Sequence, residues 1–120
     1  MRFIIFCPSI WSRSDETMIA IQVASIIASF VVFFELADDD VVDPDAVAKM
    51  MEELAAELET LDKGFLRELI DAFAIVAEED SGKVKEVVRN IPYRFYLEEA
   101  LAADDPVRLA ELEAIRDARD

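Results

Sequence analysis

The chain predicts an all-α fold, a compact bundle of about six helices joined by short turns. Three observations carry that expectation. With Gly 2 and Pro 4 in 120 residues, the chain has too little backbone punctuation for a turn-rich all-β fold. From Val47 onward, apolar residues recur at intervals of three and four, the spacing of one helical face. Asp43-Pro44 and Asp105-Pro106 each supply a capping carboxylate followed by the proline that suits a first helical position. A hydrophobic content of 54% supports a packed core despite the formal charge of −15.

Residues 1–17 are expected to form a short irregular or extended N-terminal arm, and 18–120 a single helical domain. The apolar run of MRFIIFCPSIW ends at Pro8, too short for a signal-peptide core and without a small-residue cleavage site. Met18 follows the polar patch SRSDET, so the arm also fits an upstream extension with Met18 as the start.

Met18–Phe34 carries no charge. As a helix it would run about 25 Å, a little less than the roughly 30 Å hydrocarbon core of a bilayer. Gln22, Ser25 and Ser29 share one face, and Ala20, Ala24 and Ala28 form a second stripe that permits close backbone approach. These features suit the central helix of a bundle, apolar nearly all round because it is covered nearly all round. They also suit a membrane anchor whose small residues form a packing seam. The β-branched and aromatic content admits a buried strand as a third reading.

Asp43-Pro44-Asp45 opens the next helix, which runs to about Leu61 with Val47, Met50, Met51, Leu54, Leu58 and Leu61 on its apolar stripe. Asp62 caps a third helix with Phe65, Leu66, Leu69, Ile70, Phe73, Val76 and Ala77 inward. Glu78, Glu79 and Asp80 close it, against the preference of a negative dipole end. Ser81-Gly82 leads into a shorter helix with Val84, Val87, Val88 and Ile91 at helical spacing. Asn90-Ile91-Pro92 marks a boundary. Pro92–Ala103 then reads as one helix with Tyr93, Tyr96, Leu97, Ala100 and Leu101 inward. Asp105-Pro106 opens the last helix, with Leu109, Leu112 and Ile115 on one side.

Charge is distributed very unevenly. From Glu35 to Asp62 there are eleven carboxylates and a single cation, Lys49. With a pI near 4.2 the chain is not expected to bind nucleic acid or anionic membrane surfaces, and a basic protein is the partner that charge favours. Cys7 is the only cysteine and there is no histidine. No intramolecular disulfide is possible, no zinc site is expected, and the commonest general base is missing. Cys7 reads as a small buried hydrophobe.

Asp38, Asp39, Asp40, Asp43 and Asp45 invite a calcium-loop reading, but Asp43 falls where the loop needs glycine and Lys49 where it needs the bidentate glutamate. The pairs Glu52/Glu53 and Glu78/Glu79 are adjacent on a helix and do not face one another, so they read as surface charge rather than acid–base partners. Tyr93, Phe95 and Tyr96 near Arg89 and Arg94 form only a fragment of an aromatic–basic patch, with Tyr93 and Tyr96 at core spacing. No glycine-rich phosphate loop occurs.

The stretch Phe33–Leu61 (FFELADDDVVDPDAVAKMMEELAAELETL), continued by Val88-Arg89-Asn90-Ile91-Pro92, resembles small acidic all-helical bacterial proteins that are uncharacterised or immunity-like. That resemblance implies no catalytic residues and no cofactor. The combined expectation is a non-enzymatic binding protein, cytoplasmic, whose acidic surface at Asp38, Asp39, Asp40, Glu52, Glu53, Glu57 and Glu59 engages a basic protein partner. The alternative is a membrane-anchored protein held by residues 18–34.

Overall fold

The computed structural model describes residues 15–38 and 40–119. The arm expected over 1–17 falls almost wholly outside them, as do Cys7 and Asp39. The described residues form seven helices and no strands. They are α1 (Asp15–Leu36), α2 (Pro44–Glu59), α3 (Lys63–Ala77), α4 (Gly82–Arg89), α5 (Ile91–Arg94), α6 (Leu97–Leu101) and α7 (Pro106–Arg119).

α3 is the centre of the bundle. Leu66, Leu69, Ile70, Ala72, Phe73, Val76 and Ala77 are all buried, close to the stripe its periodicity predicts. α1 packs along it, and α4, α5 and α6 also contact it. The alanine stripe of α1 is the seam of this packing. Ala20, Ala24 and Ala28 are fully buried, together with Ile21 and Val31, in one cluster with the α3 residues. Small side chains let the two backbones approach, and Thr17 Oγ1 adds a 3.3 Å hydrogen bond to Glu68 on α3.

The caps fall largely where the sequence places them. Asp62 accepts from the Phe65 N–H at 3.1 Å, and Asp105 accepts from the Arg108 N–H at 3.1 Å, each satisfying an otherwise orphaned donor. Asp43 makes no such side-chain bond; there Pro44 starts α2, and the Asp43 carbonyl accepts from Val47 at 3.0 Å. α3 ends at Ala77, so Glu78 lies beyond the last turn and reaches Lys85 of α4 at 3.5 Å. That pairing offsets the unfavourable dipole. Between them the chain turns at Gly82, whose φ of +60° suits a residue without a Cβ.

Three sequence expectations are corrected. The single helix over Pro92–Ala103 is two short ones, broken at Tyr96, which adopts a left-handed conformation (φ 56°). In a continuous helix Phe95 and Leu97 would point about 200° apart. The break lets both be buried while Tyr96 turns outward, 51% exposed. Met50 and Ile115, expected inward, are also half exposed. The third correction concerns α1. It is buried on one side only, with Ile19, Ile26, Phe30, Phe33 and Leu36 exposed.

Candidate protein-binding surface

Four of the exposed large apolar residues of α1 make a stripe, flanked on one side by exposed Gln22, Ser29 and Leu36. Ile19, Ile26, Phe30 and Phe33 are separated by seven, four and three residues, which at 100° per residue confines them to an arc of roughly 60°. The buried alanines lie on the opposite side. α1 therefore turns its alanines toward α3, with Ile21 and Val31 beside them, and leaves further bulky residues away from the core. Phe30 and Phe33 are exposed by 59% and 50%, and Phe33 meets Phe34 edge to face at 5.8 Å. Five large side chains left outward on one helix form an apolar patch of the kind that marks interaction surfaces.

At its C-terminal end this stripe runs into a groove of about 970 Å3 between α1, the α1–α2 turn and the α3–α4 turn. Val32, Phe33, Leu36, Val41 and Val84 supply its apolar lining, while Asp38, Glu79 and Asp80 supply carboxylates. The groove thus combines an apolar floor with an acidic rim.

The predicted acidic residues separate into two groups. Asp38 lines the groove, and Asp40 is exposed in the same turn. Glu52, Glu53, Glu57 and Glu59 are exposed on α2 and do not line it. On α2 Glu53 lies opposite Met51 and Leu58, the two residues this helix buries, and Glu52, Glu57 and Glu59 lie on its flanks. Asp39 lies outside the described residues. Glu79, Asp80 and the outward stripe of α1 were missed by the sequence reading. The stripe's helical spacing was visible, but large apolar residues occupy both the buried and the exposed side of α1, and Gln22, Ser25 and Ser29 are the only polar residues from 18 to 34, so periodicity gave little contrast.

Ion pairing sharpens the asymmetry. Among the described residues, Lys63 pairs with Asp104, Arg67 with Asp71 and Glu98, Arg94 with Glu35, Arg108 with Glu98 and Glu111, and Arg116 with Glu99. None of these pairs reaches Asp38, Asp40, Glu52, Glu53, Glu57 or Glu59. Burial works against the Arg67 guanidinium, yet Glu98 and Asp71 outweigh it and hold its pKa above the ordinary arginine value. Arg116 is raised in the same way, burial opposing and Glu99 prevailing. Most of these pairs lie on the α3–α6–α7 side, and among the described residues none reaches the carboxylates of the turn or of α2.

Comparison with protein-family models, with curated proteins and with solved structures finds no match.

Proposed function

We propose that this protein is a non-enzymatic binding module that engages a basic, amphipathic segment of a partner protein. The observation that carries the reading is the outward stripe Ile26, Phe30, Phe33 and Leu36 running into a groove rimmed by Asp38, Glu79 and Asp80. An apolar floor rewards burial of a partner's hydrophobic side chains, and the acidic rim steers and orients its cations. Charge also selects against the simplest alternative occupant. A second copy of this chain would bring another −15 against the same acidic rim, whereas a basic partner relieves the repulsion. An immunity protein that masks a basic nuclease toxin is one concrete form of this function.

The test is a titration of the intact chain against a synthetic helix with leucine on one face and lysine on the other. The proposal expects saturable binding that weakens as salt rises. It also expects charge reversal at Asp38, Asp40, Glu52 and Glu53 to slow association by about tenfold or more. Binding indifferent to both salt and charge reversal would overturn it.

A second reading has its own supporting observation. Thr17–Leu36 is long and apolar enough to cross a membrane, with a mean hydropathy of 2.2 and only 28% of its most apolar window buried. Spanning would require α1 to leave α3, uncovering Leu66, Leu69 and Phe73, so the packed arrangement favours the protein-binding reading. Release of the chain from membranes by a carbonate wash would exclude the anchor; retention in the membrane pellet would establish it.

A further inference from the structure

Away from the acidic surface, four of the chain's 12 cations meet in one cleft of about 630 Å3, lined among the described residues by Lys83, Arg94, Arg116 and Arg119 together with Tyr93 and Tyr96. Three carboxylates oppose them: Glu35 and Glu86 in the lining, and Glu99 against Arg116. The cleft is thus locally positive in a strongly negative molecule. Arg94 is already committed to Glu35 at 2.6 Å. Arg116 is fixed in place: its Nε and Nη2 donate to Glu99 at 3.1 and 2.9 Å, and Nη2 also donates to the Tyr93 carbonyl at 2.9 Å. Its guanidinium carbon lies 3.9 Å from the centre of the Tyr93 ring and 3.8 Å from that of Tyr96. Arg119 stacks on Tyr93 at 3.7 Å. Lys83 and Arg119 have no ion pair among the described residues. Tyr96 reaches this cleft from the left-handed backbone at φ 56°, a conformation uncommon outside glycine, asparagine and aspartate.

We propose that this cleft binds a phosphate monoester. Two cations without ion partners among the described residues match a dianion better than a single carboxylate, and arginine's planar fork suits phosphate oxygens. The cleft volume is in the range that holds small organic ligands, and the half-exposed Tyr96 ring offers an apolar surface to an aryl group. This site adjoins the proposed protein-binding surface, since Leu36 lines both it and the groove, but it selects a ligand of the opposite charge.

The experiment is a calorimetric titration of the full chain at low salt with phenyl phosphate, inorganic phosphate and benzoate. Saturable one-site binding of phenyl phosphate, with inorganic phosphate weaker and benzoate weaker still, is the expected result. Lys83→Gln and Arg119→Gln, both at exposed positions, each weaken phenyl phosphate by about tenfold while circular dichroism stays unchanged, and Lys49→Gln on α2 has no effect. Failure of phenyl phosphate to saturate, equal binding of benzoate, or indifference to the Lys83 and Arg119 substitutions would overturn the assignment.

Discussion

Arg116 joins three elements through one side chain: it grips Glu99 on α6, the Tyr93 carbonyl on α5, and both tyrosine rings, all from α7. Only 16% of its side chain is exposed, so its loss removes charge-assisted bonds and stacking together. Arg116→Ala is expected to cost about 1–3 kcal/mol, measured by urea denaturation. Arg116→Lys should recover little of this, because an ammonium neither forks nor stacks in the same way. Since its pKa is raised on folding, the stability this group contributes is fully present below the ordinary arginine value and is lost only as pH rises through the folded value. The wild-type advantage over Arg116→Ala should therefore persist, so far as this arginine's own titration is concerned, from neutral pH to about pH 10. Gly82 is a backbone requirement of another kind. A Cβ there would meet nothing within 4 Å, yet φ is +60°. Gly82→Ala should cost about 1 kcal/mol through backbone strain alone, visible as a lower urea midpoint with unchanged slope.

α1 is the element in which sequence and structure diverge most instructively. α3 was legible almost residue by residue because its apolar positions alternate with Arg67, Glu68, Asp71 and other non-core positions, giving a face to read. α1 offers little such contrast, since isoleucine and phenylalanine stand on its exposed side and Ile21 and Val31 on its buried one. What marks the seam is the run of alanines at positions 20, 24 and 28, which has no counterpart on the exposed side. That difference yields a paired prediction. Ala24→Leu should overpack the α1–α3 seam and destabilise the fold by about 1–3 kcal/mol. Phe30→Ser, on the opposite side of the same helix, should change stability by about 0.5 kcal/mol or less. Thermal unfolding of the two variants checks both. The break at Tyr96 was illegible for a different reason. Neither proline nor glycine marks it, and only the simultaneous burial of Phe95 and Leu97 requires it. Among the site residues, the acidic turn and α2 were readable from charge alone. Glu79 and Asp80 joined Asp38 only through the tertiary packing of α3 against α1.

At the scale of the whole molecule, charge and apolar surface are arranged together. Most ion pairs gather on α3, α6 and α7, the cationic cleft lies among α1, α4, α5 and α7, and among the described residues the carboxylates of the α1–α2 turn and α2 take no part in an ion pair. Such a molecule carries its acidic surface at a cost in self-repulsion. Raising salt from about 20 mM to about 500 mM should screen that repulsion and raise Tm by a few degrees. A fall in Tm with salt would mean the ion pairs outweigh the repulsion. The central claim is that the outward stripe of α1 is where a basic amphipathic partner is held. The most direct measurement is the dissociation rate of a leucine–lysine helix from wild-type protein and from the double variant Phe30→Ser/Phe33→Ser, both first shown to be equally stable. The account predicts dissociation at least about tenfold faster from the variant, with association little changed because the acidic rim is intact. Equal dissociation rates would contradict it.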